Sequence, residues 1–507
     1  MLSRAEEPSV VPASRRPRTL GFEAALVLAS VVLYSTVLGL VPVRRAAEVL
    51  PYLLAFPLAW LLRGAAGRGA ASGRWLDRLS GGYIFAAGLT LRLAWAAFSG
   101  TVPQSDFAQY ERMALDILRG KTGVDPEKPV GAAYFLAAHY GLLGHCRLFP
   151  AVTQSLLSAG QIPLVGAIAA RSSGQPRVGK FAALLLALWP THALYVNLLG
   201  SDTLFSFLVL MAAWLLGRNG RPARWLPFPA GGLLGLSQWV RPTGVLFIGA
   251  AAAALWLTPG RAVRRGIATA WLAAGVFAPL SWLAWNNWRA LGTFSLSPSQ
   301  MGGFSMLVGA NIERHGRVSQ EDWTLFVNEL GAKPAPSGVH PLVFRDRLAR
   351  QTALRRIRAR PLAFLGLALT SKLHSLWGQP SGLRWSVATS RLAAFYPLLL
   401  GAATLHHALA ALLLFPAVRR SQSLRTRADA GLCLLLLAAL LTTVAHLVLE
   451  TQARYHFALI PLLAALLGHL AEDPLRPGPA MPAEAEQAAG DSAGLAPAAD
   501  SRNAPHG

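Results

Sequence analysis

Long apolar runs recur along the whole chain, separated by short polar or Gly/Pro-rich breaks, and they limit what the sequence can fold into more than any other feature. Residues 181–199, 203–216, 267–285 and 432–449 approach the roughly 20 residues that a helix needs to cross a hydrocarbon core of about 30 Å. In lipid every backbone N–H and C=O must be satisfied internally, so such runs are helices rather than open strands. With 53% hydrophobic and only 14% charged residues, the 507-residue chain lies outside the soluble class. The expected fold is an all-α polytopic membrane protein.

The net charge of +23 would suggest nucleic acid in a soluble chain with one basic face. Here the basic residues sit between the apolar runs, the pattern of cytoplasmic loops, and no nucleic-acid partner is expected. Placing residues 15–18, 63–78, 171–180, 218–224, 261–265 and 419–427 inside gives about 12 spans. These lie near 20–41, 49–63, 82–99, 149–170, 178–199, 202–217, 225–240, 243–258, 266–286, 394–415, 430–449 and 456–471. The even count puts both termini in the cytoplasm. Residues 225–257, interrupted by Arg241-Pro242, cross twice or re-enter, with Arg241 at the outer turn. Residues 361–377 read as a re-entrant or interfacial helix, a true crossing being the alternative.

Three parts follow: a cytoplasmic N-terminus 1–19, a membrane domain 20–471 with long outer loops 100–148 and 287–393, and a disordered cytoplasmic tail 472–507. The N-terminus has the charge order of a signal peptide, but its apolar run is too long and Arg44-Arg45 follows, so a retained first span is expected. Cys146 and Cys433 have no metal or disulfide spacing and read as small apolar fillers.

Candidate chemistry collects at the outer ends of the spans. Residues 105–120 predict a short helix capped by Ser105 or Asp106, ended by Gly120, with Tyr110, Ala114 and Ile117 on one face. Asp106 is either a helix cap or a functional carboxylate. Following a span directly, it is expected to be partly desolvated, with its pKa raised toward a general base's range. Residues 131–143 are too short to span and are expected to lie along the interface. Asp202 opens a span as a cap or a site residue. Lys372 and His374 are embedded in an apolar segment, where a lysine snorkels or meets an anion. Arg454 is set to bind a phosphate or to pair with Glu450 at i, i+4.

These pieces resemble the GT-C superfamily of polytopic glycosyltransferases, in particular its branch of protein mannosyltransferases and lipid A aminoarabinose transferases. The resemblance runs through SDFAQYERMALDILRGK, the stretch from GAAYFLAAHYGLLG to LLLALWPTHALYVNLLGSDTLF, RPTGVLF, NNWRALGTFSLSPSQMGGFSMLVGANIERHG, RPLAFLGLALTSKLHSLW and ARYHFALIPLL. It implies a GT-C-like bundle in the plasma (inner) membrane that takes a sugar from a polyprenyl-phosphate donor on the outer face. The acceptor would be a lipid, a glycan or a protein. The aspartate of the first outer loop is then the catalytic base, a role that falls on Asp106. Tyr110, Asp202, Arg241, Lys372, Arg454 and Tyr455 become substrate-binding candidates. Many relatives carry two adjacent acids where this chain has Asp106-Phe107, so no metal is expected, and no cofactor. Two other readings compete. An O-antigen ligase or polymerase is compatible with the arginine-rich stretch 345–360, and a secondary transporter would need ionisable residues near mid-membrane.

Overall fold

The computed structural model describes residues 19–40, 50–60, 74–121, 126–218, 224–259, 261–427 and 429–473. Apart from Thr19, Glu472 and Asp473, the expected N-terminal segment and tail lie outside these, as do the basic residues 44–45 and 63–73. All regular structure among the described residues is helical. The principal helices are α1 (Leu20–Val37), α2 (Gly81–Phe98), α3 (Asp106–Leu118), α4 (Gly131–Leu143), α5 (Leu148–Ser173), α6 (Pro176–Ala187), α7 (Asp202–Gly217), α8 (Pro227–Val240), α9 (Gly244–Leu257) and α10 (Ala262–Leu291). After these come α11 (Gly302–Gly309), α12 (Pro341–Ala359), α13 (Pro361–Leu367), α14 (Leu373–Trp377), α15 (Tyr396–Arg420), α16 (Ala430–Val448) and α17 (Ile460–Gly468).

Seven helical stretches among the described residues are long and apolar enough to cross a membrane: α1, α2, α5, α10, α15 and α16, together with Ala453–Ala471, which contains α17. The chain is a multi-pass membrane protein. Of the other five expected spans, 49–63, 202–217 and 243–258 correspond to the shorter apolar helices Leu50–Trp60, α7 and α9. The stretch expected at 225–240 forms the 14-residue α8. The run 178–199 is broken, because α6 stops at Ala187 before Trp189-Pro190.

Pro190 has no N–H to continue the ladder, and Arg92 on α2 caps the end it leaves. Arg92 is fully buried, and its guanidinium donates to Leu186 O and Ala187 O at 3.1 Å each, the last carbonyls of α6. Further bonds reach Ser158 Oγ at 2.8 Å, Gly88 O at 2.9 Å and His192 Nδ1 at 3.0 Å. The final carbonyls of a helix have no intrahelical partner and carry partial negative charge, so a cation there replaces water that lipid cannot supply.

The helices α8 and α10 approach so closely that a Cβ on Gly231 would strike Leu272 O and one on Gly275 would strike Phe228 O. Small residues at these crossings replace the hydrophobic drive that is missing in lipid. Exposed Trp285 and Trp288 near the end of α10 are placed as interfacial anchors.

The long segment after α10 builds its own small core from Phe304, Leu307, Phe326, Leu342, Ala349 and Ala353. Asp322 sits buried within it and accepts from Asn311, Ser319 and Arg356 at 2.8–3.0 Å. The arginine-rich stretch forms α12. This unit holds the turn before Ala453, since Glu450 N donates to Ser305 O at 2.8 Å and Thr451 N to Gly316 O at 3.3 Å. Residues 361–377 are helical throughout, with a π-helical turn at Ala368–Lys372 between α13 and α14. Cys433 is buried as expected. Cys146 is exposed, because it lies in the short link between α4 and α5 rather than on a packed face, and is not a filler.

Candidate functional site

The helix α3 begins eight residues after α2 ends and stops before Gly120 (φ 77°), as expected, but the expected side-chain cap from Ser105 or Asp106 is not formed. Ser105 has φ 53° and ψ −129°, an uncommon conformation for a residue with a side chain, and makes no side-chain cap. Phe107 fixes the next turn. It is buried, packs edge-on against Tyr195 and Trp385 at ring separations of 6.5 and 6.4 Å, and fills the space a side chain at Gly200 would need. The position beside Asp106 is therefore an apolar anchor. Tyr110 and Ala114 are buried against α4, and Tyr110 bonds to Ser201.

One turn on, Glu111 ties α3 to the α4–α5 link. It accepts from Arg147 at 2.8 and 2.9 Å, from Tyr140 at 3.1 Å and from His145 at 3.2 Å. Burial raises its pKa, but these donors outweigh it and the carboxyl titrates below its ordinary range. Asp106 is thus mounted on a helix held from both sides.

Asp106 does not cap α3. Its Oδ1 accepts from Lys128 Nζ at 2.7 Å and its Oδ2 from Arg454 Nη2 at 2.6 Å. The expectation of a raised pKa is corrected here. Burial does push the carboxyl up, but Arg454 and then Lys128 pull harder, and Asp106 is held well below the ordinary carboxylate range. Partial desolvation was anticipated correctly; two cations on one carboxylate were not. Arg454 therefore pairs with Asp106 rather than making the ion pair with Glu450 offered as an alternative.

A second ion pair lies beside the first. Asp202, the first residue of α7, accepts from Arg241 in the turn between α8 and α9, and Tyr195 Oη donates to its other oxygen at 3.3 Å. Both arginines meet one aromatic ring, with the Arg241 and Arg454 guanidiniums each 5.6 Å from the centre of Tyr455. The ring is stacked in turn on His446 at 4.6 Å. Behind it lies Glu450, bonded to Gln452 and Tyr455 and pushed up by burial. Asp202, Arg241, Arg454 and Tyr455 line one narrow cleft with Phe205, Thr243, Phe247 and Thr442, with room for about one water. Its polar wall suits an anion, held by guanidinium forks.

Of the residues expected in the site, Asp106, Asp202, Arg241, Arg454 and Tyr455 are joined by direct contacts, and Tyr110 packs on the same helix as Asp106. Lys372 stands apart. It is buried in the π-helical turn, donates to Gly309 O at 2.9 Å and lies over Phe364. Lys128, Glu111 and Tyr195 were missed. Lys128 carried one faint signal, a lysine between two prolines in a chain that otherwise favours arginine.

A separate apolar groove of about 650 Å³ runs along α9 and α10. Ile248 and Ala252 of α9 and the side of α10 from Thr269 to Trp288 form it, with Phe294 and Leu296 closing one edge. Cleft and groove share α9: Phe247 faces the first and Ile248 the second.

No family model and no curated protein matches the sequence. Solved structures similar to the chain include two of prenyl-phosphate-bound membrane enzymes. One is the archaeal oligosaccharyltransferase AglB from Archaeoglobus fulgidus, in complex with an inhibitory peptide and a dolichol-phosphate, at 16% identity and a TM-score of 0.46. That match covers 78% of this chain and 50% of the other, so this chain spans about half the length of AglB. The other is ArnT from Cupriavidus metallidurans bound to undecaprenyl phosphate, at 14% identity, a TM-score of 0.36 and 78% coverage of each chain.

Proposed function

We propose that this protein is an integral membrane glycosyltransferase. It moves a sugar from a polyprenyl-phosphate donor to a lipid, glycan or protein hydroxyl on the outer face of the plasma membrane. The observation that carries this reading is the pair of linked ion pairs at the span ends, Asp106 with Lys128 and Arg454, and Asp202 with Arg241, together with a long apolar groove. A donor of this class has the matching parts: a phosphate for the cations, a prenyl tail for the groove and a sugar that remains in water.

Both oxygens of Asp106 accept hydrogen bonds from cations, which makes it a poor base as long as those contacts hold. An arriving phosphate competes for Arg454 and Lys128, and as these turn to it the depressing charges leave while burial remains. The carboxylate then becomes basic enough to take a proton. An acceptor hydroxyl gives its proton to Asp106 and its oxygen attacks the anomeric carbon from the face opposite the phosphate. The carbon–phosphate oxygen bond breaks, its electron pair stays on the phosphate, and the configuration inverts. The leaving group is already an anion, so cations suffice and no general acid is required. Arg241, steered by Asp202, is the third cation within reach.

The transporter reading asks for charges at mid-membrane. Arg92, inside the apolar helix α2, is the nearest candidate, but its donors are taken up by carbonyls, Ser158 and His192, which favours a structural role. The test is ligand binding by the full chain in nanodiscs. Undecaprenyl phosphate raises the melting temperature and undecaprenol does not, with the difference lost in Arg454→Met. Equal responses to alcohol and phosphate overturn the reading.

A further inference from the structure

The backbone between α10 and α11, residues 292–301, links the groove to the carboxylate site. Gly292, at φ 63°, turns the chain as α10 ends. Asn287, buried near that end, donates to Ser295 O at 2.7 Å and to Ser297 O at 2.8 Å. Gln238 of α8, also buried, donates to Leu296 O at 3.1 Å. The segment is therefore strapped across two helices, and its Phe294 and Leu296 are the residues that edge the groove.

The far end of the strap reaches the other site. Gln300 N donates to Pro126 O at 2.6 Å, and its side chain folds back to Ser295 Oγ at 3.3 Å. Two residues beyond Pro126, Lys128 grips Asp106. One short piece of backbone thus touches the groove with residues 294–296 and the lysine loop with residue 300. Among the described residues Asn287 Oδ1 and Gln238 Oε1 are buried without partners, so each amide holds the strap by its donated bonds.

We propose that this strap lets the donor's tail set Lys128: a long apolar chain lying in the groove fixes residues 294–296 and, through Gln300 and Pro126, holds the lysine turned from Asp106 onto the phosphate. This rests on the donor reading above and sharpens it, selecting long-chain over short-chain polyprenyl phosphates. Gln300, Asn287 and Gln238 are positioning residues, acting through Lys128. The device places chain-length discrimination at the reacting end, where a groove alone would register it only as affinity.

Hydrogen exchange of the full chain in nanodiscs, saturated with undecaprenyl phosphate or with geranyl phosphate, tests this. In the wild type the long-chain ligand slows exchange at residues 127–131 about fivefold more than the short one, the factor for one net hydrogen bond. In Gln300→Pro, which lacks the linking N–H, the two ligands protect 127–131 equally while the long chain still protects 294–297. Asn287→Ala, which frees the strap from α10 without touching Gln300, narrows the difference as well. Equal protection by both ligands in the wild type, or a difference that survives in a folded Gln300→Pro, overturns the proposal. Failure of both phosphates to protect any segment refutes the donor reading itself, and the proposal falls with it.

Discussion

Replacing Lys128 by methionine keeps the stem and removes one of two charges from Asp106. Two effects follow, and they act on different observables. The donor loses a charge-assisted hydrogen bond of ~1.5–3 kcal/mol, which lowers affinity about 10–100-fold. The carboxylate loses one depressing neighbour, and an opposite charge at this distance is worth about 1–3 pKa units. Its pKa is lowered in the folded protein, so the basic form persists to unusually low pH and is lost as pH falls through that depressed value. Removing Lys128 moves this loss upward by about 1–3 units, with burial unchanged and still raising it. The assay is kcat/KM against pH, which reports the free enzyme. The wild type shows no acid limb from this group above the ordinary aspartate value of ~3.9, whereas Lys128→Met falls off at a higher pH than wild type. An acid limb that does not move, or moves down, shows that Asp106 is not the titrating base.

Arg92→Met leaves Ala187 O at the end of α6 without its donor, at ~1–3 kcal/mol for an unsatisfied group, while Leu186 O keeps the Trp189 N–H; a lowered melting temperature in detergent checks this. Gly275→Val forces α8 and α10 apart and lowers the yield of folded protein, whereas Gly266→Val, where an added Cβ meets nothing, leaves it unchanged. Phe107→Asp, which restores an adjacent acid, destabilises the chain instead of creating a metal site, because the carboxylate replaces a buried ring; thermal unfolding with and without divalent cations separates the outcomes.

The sequence was most informative where chemistry meets the ends of apolar runs. Polar residues that interrupt or border a span stand out against their neighbours, and Asp106, Asp202, Arg241 and Arg454 were all visible for that reason; all four are joined in the structure. Lys128 is different. It reaches Asp106 across 22 residues of loop, a contact that no local period or cap encodes. The sign of the Asp106 pKa shift was hidden for the same reason, since burial favours one direction and the number of converging cations decides the other. Arg92 passed as one polar residue in an apolar run, so the cap at the early end of α6 went unforeseen. The length of the run at 178–199 suggested a crossing, but Pro190 stops the helix first and a buried guanidinium caps the end.

The central claim is that Asp106 takes the acceptor's proton. Asp106→Asn keeps the shape of the side chain and removes its basicity. Cells producing wild-type or Asp106→Asn protein at equal levels are compared by mass spectrometry of their extracytoplasmic glycans and glycolipids. The account predicts that one sugar modification present with wild type is absent with the variant. An unchanged glycan profile at normal protein levels contradicts it.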